Sequence, residues 1–147
     1  MDVSEQDRAP VRRPISITSI VDCVGSLATG TLHENLYLLD SNRAGGSTGQ
    51  GTPALRTRVS RGDRLLWTVI TLECEAFAAI EDIRIDTGVC RPERHTYPDS
   101  DVAYWTATVA RDDIGLVPYE ITFRIGPGEA SMTTPVPPAL IGGTSPD

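Results

Sequence analysis

His33 and His95 are the only histidines in the chain. Each stands among residues that could help it move a proton or hold an anion. His33 lies in "LHEN", beside Glu34 and Asn35. On an extended strand alternate side chains share a face, so His33 and Asn35 would point one way and Glu34 the other. An acid from elsewhere in the fold would then complete a general-base pair with His33. Asp22 and Tyr37 are the other catalytic candidates, with Trp67 as a further residue to test. The plain alternative for His33 is an exposed histidine at a strand end. His95 lies in "CRPERHTYPD", which gathers Arg91, Arg94, His95, Tyr97 and Asp99. Such a segment could clamp an anionic group through its guanidinium groups, or it could be a solvated connection. "YW" at Tyr104 and Trp105 puts one ring on each face of a strand. The ligand-binding candidates are therefore Trp105, Arg91, Arg94 and His95.

Other motifs carry less chemistry. Cys23, Cys74 and Cys90 are odd in number and show no CxxC spacing, so neither a disulfide framework nor a zinc site is expected. A catalytic cysteine would need a base beside it; small, buried cysteines are the simpler reading. No spacing of His, Cys, Asp and Glu supports a metal, and no cofactor is expected. "SNRAGGSTGQGT" (Ser41 to Thr52) holds four glycines in twelve residues. It lacks the lysine and following helix of a phosphate-cradling loop, and it does not fit the dinucleotide fingerprint. It reads as a mobile connection between strands whose glycines permit positive φ, near the rim of a binding pocket. "RGD" (Arg61 to Asp63) reads as a tight turn.

The totals narrow the class. A chain of 147 residues suits one domain with a sizeable core. Its 39% hydrophobic and 22% charged residues are an ordinary globular balance. The net charge is −7 and all thirteen basic residues are arginines, scattered along the chain. That is no footprint for nucleic acid, which requires clustered positive charge. No apolar run approaches the roughly 18 residues that span a membrane. The charged start, "MDVSEQDRAPVRRP", lacks the apolar stretch of a secretory signal, so a cytoplasmic location is the default.

The elements that must position these residues read as strands. "PISITSIVDCV" alternates up to Ile17 and then slips to Ile20 and Val21. "LHENLYLLD", "ALRTRVS", "RLLWTVITLE", "VAYWTATVA" and "PYEITFRIG" follow the same period. "GSLATGT" (Gly25 to Thr31) reads as a loop, and so does Gly88 to Asp101. "AFAAIEDIRID" is ambiguous between a helical turn and a strand. The pattern predicts an all-β fold, a Greek-key or immunoglobulin-like sandwich of about seven or eight strands. Its core includes Trp67, Leu65 or Leu66, Val69, Ile121, and Phe123 or Ile125. The organisation expected is a flexible N-terminal arm (1–13), the sandwich (14–135) and a Pro/Gly-rich tail (136–147).

"NLYLLDSN", "GSTGQGTPALRTRVSRGDRLLW", "YWTATV" and "YEITFRI" together resemble the AidA/PixA inclusion-body protein family in order and spacing. Asp22, Gly49, Gly51, Leu55, Gly62, Asp63, Trp67, Trp105 and Tyr119 fit its frame, over roughly residues 15 to 125. The family's aromatic C-terminal segment is replaced here by "MTTPVPPALIGG", so the resemblance implies nothing about a function tied to that end. The resemblance implies an all-β fold without established catalytic residues, in proteins that accumulate in dense bodies. Two functions follow as expectations. One is a non-enzymatic sandwich that self-associates as a homodimer or binds a partner or a small apolar ligand. The other is a small cyclase, isomerase or hydrolase of specialised metabolism working in an apolar pocket. An enclosed apolar cavity would favour the second; a solid core with an apolar surface patch would favour the first.

Overall fold

The computed structural model describes residues 13–128 and 130–143. The expected arm lies outside these residues except for Arg13, and so does the end of the expected tail. The fold is all-β apart from one short helix and one 3-10 turn. The main sheet has five strands: β1 (Ile15–Val21), β2 (Leu36–Asp40), β4 (Arg64–Thr71), β6 (Glu93–Thr96) and β7 (Ala103–Thr108), in the order β2-β1-β4-β7-β6. β1 and β4 run parallel and the other neighbours antiparallel. A second sheet places β9 (Glu120–Ile125) between β5 (Ala78–Arg84) and β10 (Ala130–Thr133). A third places β11 (Ala139–Gly142) between β3 (Arg56–Arg58) and β8 (Gly115–Pro118).

Alternation explains which faces meet. In β1, Ile15, Ile17, Ser19 and Val21 are buried and the residues between them half-buried. The expected slip at Ile20 does not occur: the strand stays regular, Ser19 takes the core-facing place, and its buried hydroxyl has no hydrogen-bond partner among the described residues. Leu65 and Trp67 of β4 and Trp105 and Ala107 of β7 complete the inner face. They form one core cluster with Ile80, Ile83, Ile121, Phe123 and Ile125 of the second sheet. Two indole groups tie the layers. Trp67 Nε1 donates to the hydroxyl of Tyr119 (3.2 Å), and Trp105 Nε1 donates to the Ile80 carbonyl (3.1 Å). Of the expected core residues, Val69 is only partly buried and Leu66 faces outward.

The strand count exceeds seven or eight because several additions are only three or four residues long, too short to show a period. β6 forms inside the expected loop 88–101, β8 inside an expected turn, and β11 inside the expected tail. The opposite error occurs at Gly25 to Thr31. That segment belongs to a helix, α1 (Cys23–Thr29), whose N-cap is Asp22 and whose C-cap is Gly30 in the left-handed region (φ 77°). Asp22 Oδ1 accepts from the Gly25 amide (2.8 Å), satisfying one of the free N–H groups of the first turn.

The glycine-rich connection is bonded, not free. The Asp40 amide donates to Gln50 Oε1, and Gln50 Nε2 returns a bond to Asp40 Oδ1, each at 2.8 Å. Asn42 Nδ2 donates to the Arg58 carbonyl (2.7 Å), and the Arg58 amide donates to Ser47 Oγ (3.0 Å). Gly49 is required by close approach: its φ is +83°, and a Cβ there would lie 2.8 Å from the Ala54 carbonyl oxygen. The segment folds back on β3, so no helix N-terminus follows to receive a phosphate.

Candidate functional site

The catalytic candidates take up structural work. Asp22 caps α1. The Gly25 amide, and then a side-chain hydrogen bond with Glu73, hold its carboxyl below the usual carboxylate value against the opposing effect of desolvation. The Glu73 carboxylate itself accepts from the amides of Cys23 (3.0 Å) and Val24 (3.2 Å). His33 is not on a strand. It lies exposed in the turn between α1 and β2, where its carbonyl accepts from Asn35 Nδ2 (3.2 Å). Tyr37 is exposed on β2 and donates weakly to the Glu34 carbonyl (3.4 Å). No hydrogen bond joins the side chains of these three among the described residues, and none of them lines the groove described next. Among the described residues, no group of three or more His, Cys, Asp and Glu is arranged to hold a metal ion.

The four ligand-binding candidates separate. Arg91 and His95 meet on the outer face of the main sheet. There Arg64, Thr87, Cys90, Arg91, Glu93, His95, Tyr104, Thr106 and Thr108 line an open groove of about 590 Å³. Strand alternation builds it: Glu93 and His95 of β6 stand beside Thr106 and Tyr104 of β7 in antiparallel register, and Thr108 stands beside Arg64 of β4. Arg94, one residue off this face, instead lines a smaller groove with Arg124 and Glu81. Trp105 is the buried partner of the "YW" pair and lies beneath the groove in the core. Tyr104 is the ring on the outer face. The sequence raised both rings, and only the direction of pairing decides which one points out.

The groove is partly pre-organised. His95 Nε2 is 2.9 Å from Thr106 Oγ1, and the imidazole stacks on Tyr104 at 5.2 Å with the planes 23° apart. Tyr97, outside the lining of the groove, also packs against Tyr104, with ring centroids 4.6 Å apart. Among the described residues the only ion pair joins Arg84 and Asp82, so neither Arg64 nor Arg91 has one there. Cys90, at the floor, is buried, and burial pushes its thiol pKa up to about 11. It therefore stays protonated near neutrality and is a poor nucleophile.

Residues 13–132 match a domain family described as a domain of unknown function, DUF8788. The chain belongs to the DUF8788 family. No curated protein matches it. Among solved structures, the DUF8788 chain is similar to the crystal structure of an inclusion body protein (PixA) from Burkholderia cenocepacia J2315. The TM-score is 0.73 at 12% identity, over 90% of this chain and 96% of that one. The likeness read from the sequence is thus met as a likeness of fold. Among the described residues of the DUF8788 chain, no helix is long and apolar enough to cross a membrane.

The cysteines offer a direct check of this geometry. Cys23 and Cys90 are buried and Cys74 is exposed. Burial foremost, then the charges of Glu73 and Asp22, raise the Cys23 thiol as well. In native protein near pH 8, a thiol-reactive chromogen should titrate one cysteine per chain quickly, and all three only after unfolding. Rapid labelling of Cys90 in the folded protein would contradict the closed floor.

Proposed function

We propose that this DUF8788 domain is a binding module whose outer-face groove takes up a small anionic ligand. The observation that carries the reading is the pairing of Arg64 and Arg91 in one groove of a chain with net charge −7. Neither guanidinium has an ion-pair partner among the described residues. Guanidinium groups bind carboxylate and phosphate oxygens through paired N–H donors. An acidic surround disfavours anions over most of the surface, and this groove differs from the smaller one at Arg94 and Arg124 in its volume and its threonine hydroxyls. The lining is rich in hydroxyl and charged groups, which suits an anion better than the apolar ligand expected from the sequence. The grooves described here are open surface features, not an enclosed apolar chamber of the kind a cyclase or isomerase would use.

The test is a nuclear magnetic resonance titration of the full chain with small carboxylates and inorganic phosphate. Saturable shifts should concentrate on Tyr104, Thr106 and the strand around His95. Arg64→Ala and Arg91→Ala should each weaken binding about tenfold, the usual worth of one charge-assisted contact. Shifts that persist unchanged in both variants would remove the groove from consideration.

A second reading, self-association, rests on a separate observation. Exposed Val24, Leu27, Ile70, Leu72, Phe77 and Val102 gather at the end of the main sheet near α1. Ile70, Phe77 and Val102 line one largely apolar groove there, of about 420 Å³. Two carboxylates also line it, Glu73 and Asp101, of which Glu73 is already hydrogen-bonded to α1. Two copies of an acidic chain would meet with least repulsion at such an end. Sedimentation in the micromolar range should give a dimer mass, reduced to monomer by Ile70→Glu or Phe77→Glu. A monomer throughout would end this reading.

A further inference from the structure

We infer that the ligand class of the outer-face groove is an acidic saccharide chain, a run of sugar units carrying carboxylates; this rests on the anion-binding reading above. Three features of the groove point to a sugar. The first is the aromatic row. Within the groove His95 stacks on Tyr104 at 5.2 Å, and Tyr97, just past β6 and outside the lining, extends the row against Tyr104 at 4.6 Å. Tyr97 is 44% exposed, so part of the row faces outward. Rings already stacked on each other, with His95 bonded to Thr106, lose little freedom when a flat ligand face packs on them.

The second feature is the mixture of polar groups. Thr87, Thr106 and Thr108 offer hydroxyls that both donate and accept, Glu93 accepts, and Arg64 and Arg91 donate. A benzoate-like acid presents one carboxylate and no further donors or acceptors. It would engage the arginines and leave the hydroxyls and Glu93 without a use. A pyranose ring presents an apolar C–H face to the aromatic row and a rim of hydroxyls to the threonines and Glu93. A carboxylate on that ring reaches the guanidinium groups.

The third feature is continuity. Thr87 and Arg91 also line a second groove of about 440 Å³, with Ile83, Arg84, Ile85 and Pro92. The two grooves therefore share a wall that carries Arg91; Arg64 lies in the first groove and Arg84, in an exposed ion pair with Asp82, in the second. A track that is open and continues past its central arginine accommodates a chain of units more naturally than a single ring. A nucleic-acid strand is the competing polyanion. Its phosphodiester backbone has no hydroxyl to donate to Glu93, whereas the rim of a sugar offers donors to Glu93 and both donors and acceptors to the threonines, and a chain of net charge −7 lacks the clustered positive charge that nucleic acid requires.

Isothermal titration of the full chain decides the matter. The probes are a linear tetragalacturonate, its methyl-esterified neutral form, the galacturonate monomer, benzoate and an eight-residue oligothymidylate. Tetragalacturonate should bind on the order of tenfold tighter than the monomer or benzoate, and esterification should abolish binding. Arg91→Ala should weaken it at both grooves, Arg84→Ala only for the tetramer, and Tyr97→Ala without loss of folding, since that ring is exposed and outside the core. Equal affinity for benzoate, monomer and tetramer, each sensitive to Arg64→Ala, would overturn the saccharide inference while leaving anion binding intact. Tighter binding of the oligothymidylate would overturn it in favour of nucleic acid. No binding of any probe would overturn both readings.

Discussion

Trp67→Ala should lower folding stability by about 3–5 kcal/mol, the usual cost of emptying a large, fully enclosed core site. Trp67 is wholly buried on β4, the middle strand of the main sheet. Its register neighbours are Ile17 on one side and Trp105 on the other. The indole meets Tyr119 edge-to-face, with ring centroids 5.9 Å apart and planes at 76°. Its Nε1 donates to the Tyr119 hydroxyl, the only hydrogen bond that hydroxyl makes among the described residues. Burial raises the pKa of Tyr119, which keeps the phenol neutral at any ordinary pH. Removal of Trp67 therefore costs packing and also strands a buried hydroxyl. Trp67→Phe separates the two effects: it keeps most of the volume and should cost about 1–3 kcal/mol, the penalty for an unsatisfied buried polar group. Both values come from urea unfolding curves with the denaturant slope held under watch. A loss below about 1 kcal/mol for the alanine variant would mean that Trp67 does not hold the two layers together.

The central strands were legible because they are long enough to show their period. Leu65, Trp67, Ile121, Phe123 and Ile125 alternate with half-buried or exposed residues and fall where alternation places them. The ambiguous stretch "AFAAIEDIRID" has a particular cause. β5 carries a bulge between Ile80 and Asp82, so Ile80 and Ile83 are both buried although three residues apart. A spacing of three imitates a helix, and the inserted residue of a bulge produces it in a strand. α1 was missed for the complementary reason. Seven residues show too little periodicity, yet Asp22 and Gly30 bracket the segment as N-cap and C-cap, and that pair was the readable signal.

The candidate site was legible in part. The segment "CRPERHTYPD" supplied Arg91 and His95, but read as a loop it gave no facing for either residue. Once Glu93–Thr96 is a strand, alternation sends His95 to one face and Arg94 to the other. Arg64 was missed because its place in the groove depends on its pairing with Thr108, forty-four positions further along the chain. Tyr104 was seen but passed over for Trp105, since the sequence carries no sign of which ring the second sheet covers.

The second large effect is expected at the far end of the described chain. Leu140→Ala should cost about 2–5 kcal/mol, the range for truncating a buried leucine. "MTTPVPPALIGG" looked like a departing tail because its prolines and glycines are as many as its apolar residues and interrupt any strand period. In the fold, Pro138 precedes a four-residue strand, β11, that lies between two others. Leu140 is fully buried, opposite Thr57 of β3 and Val117 of β8. The Ala139 amide donates to the Leu55 carbonyl (2.9 Å), and the Val59 amide donates to the Ile141 carbonyl (2.8 Å). The bonds lock β11 to the strand that follows the glycine-rich connection, so the two segments stabilise one another across some eighty residues of chain. The family match ends at residue 132, yet the core extends beyond it. Ile141→Ala, at a half-buried position on the same strand, is the matched control and should cost less than Leu140→Ala. Urea unfolding measures both, and amide hydrogen exchange at Thr57 and Val59 reports the same coupling locally. Those amides should lose protection in the Leu140 variant before the main sheet does. Unchanged stability together with unchanged exchange would show that β11 rests on the domain without supporting it.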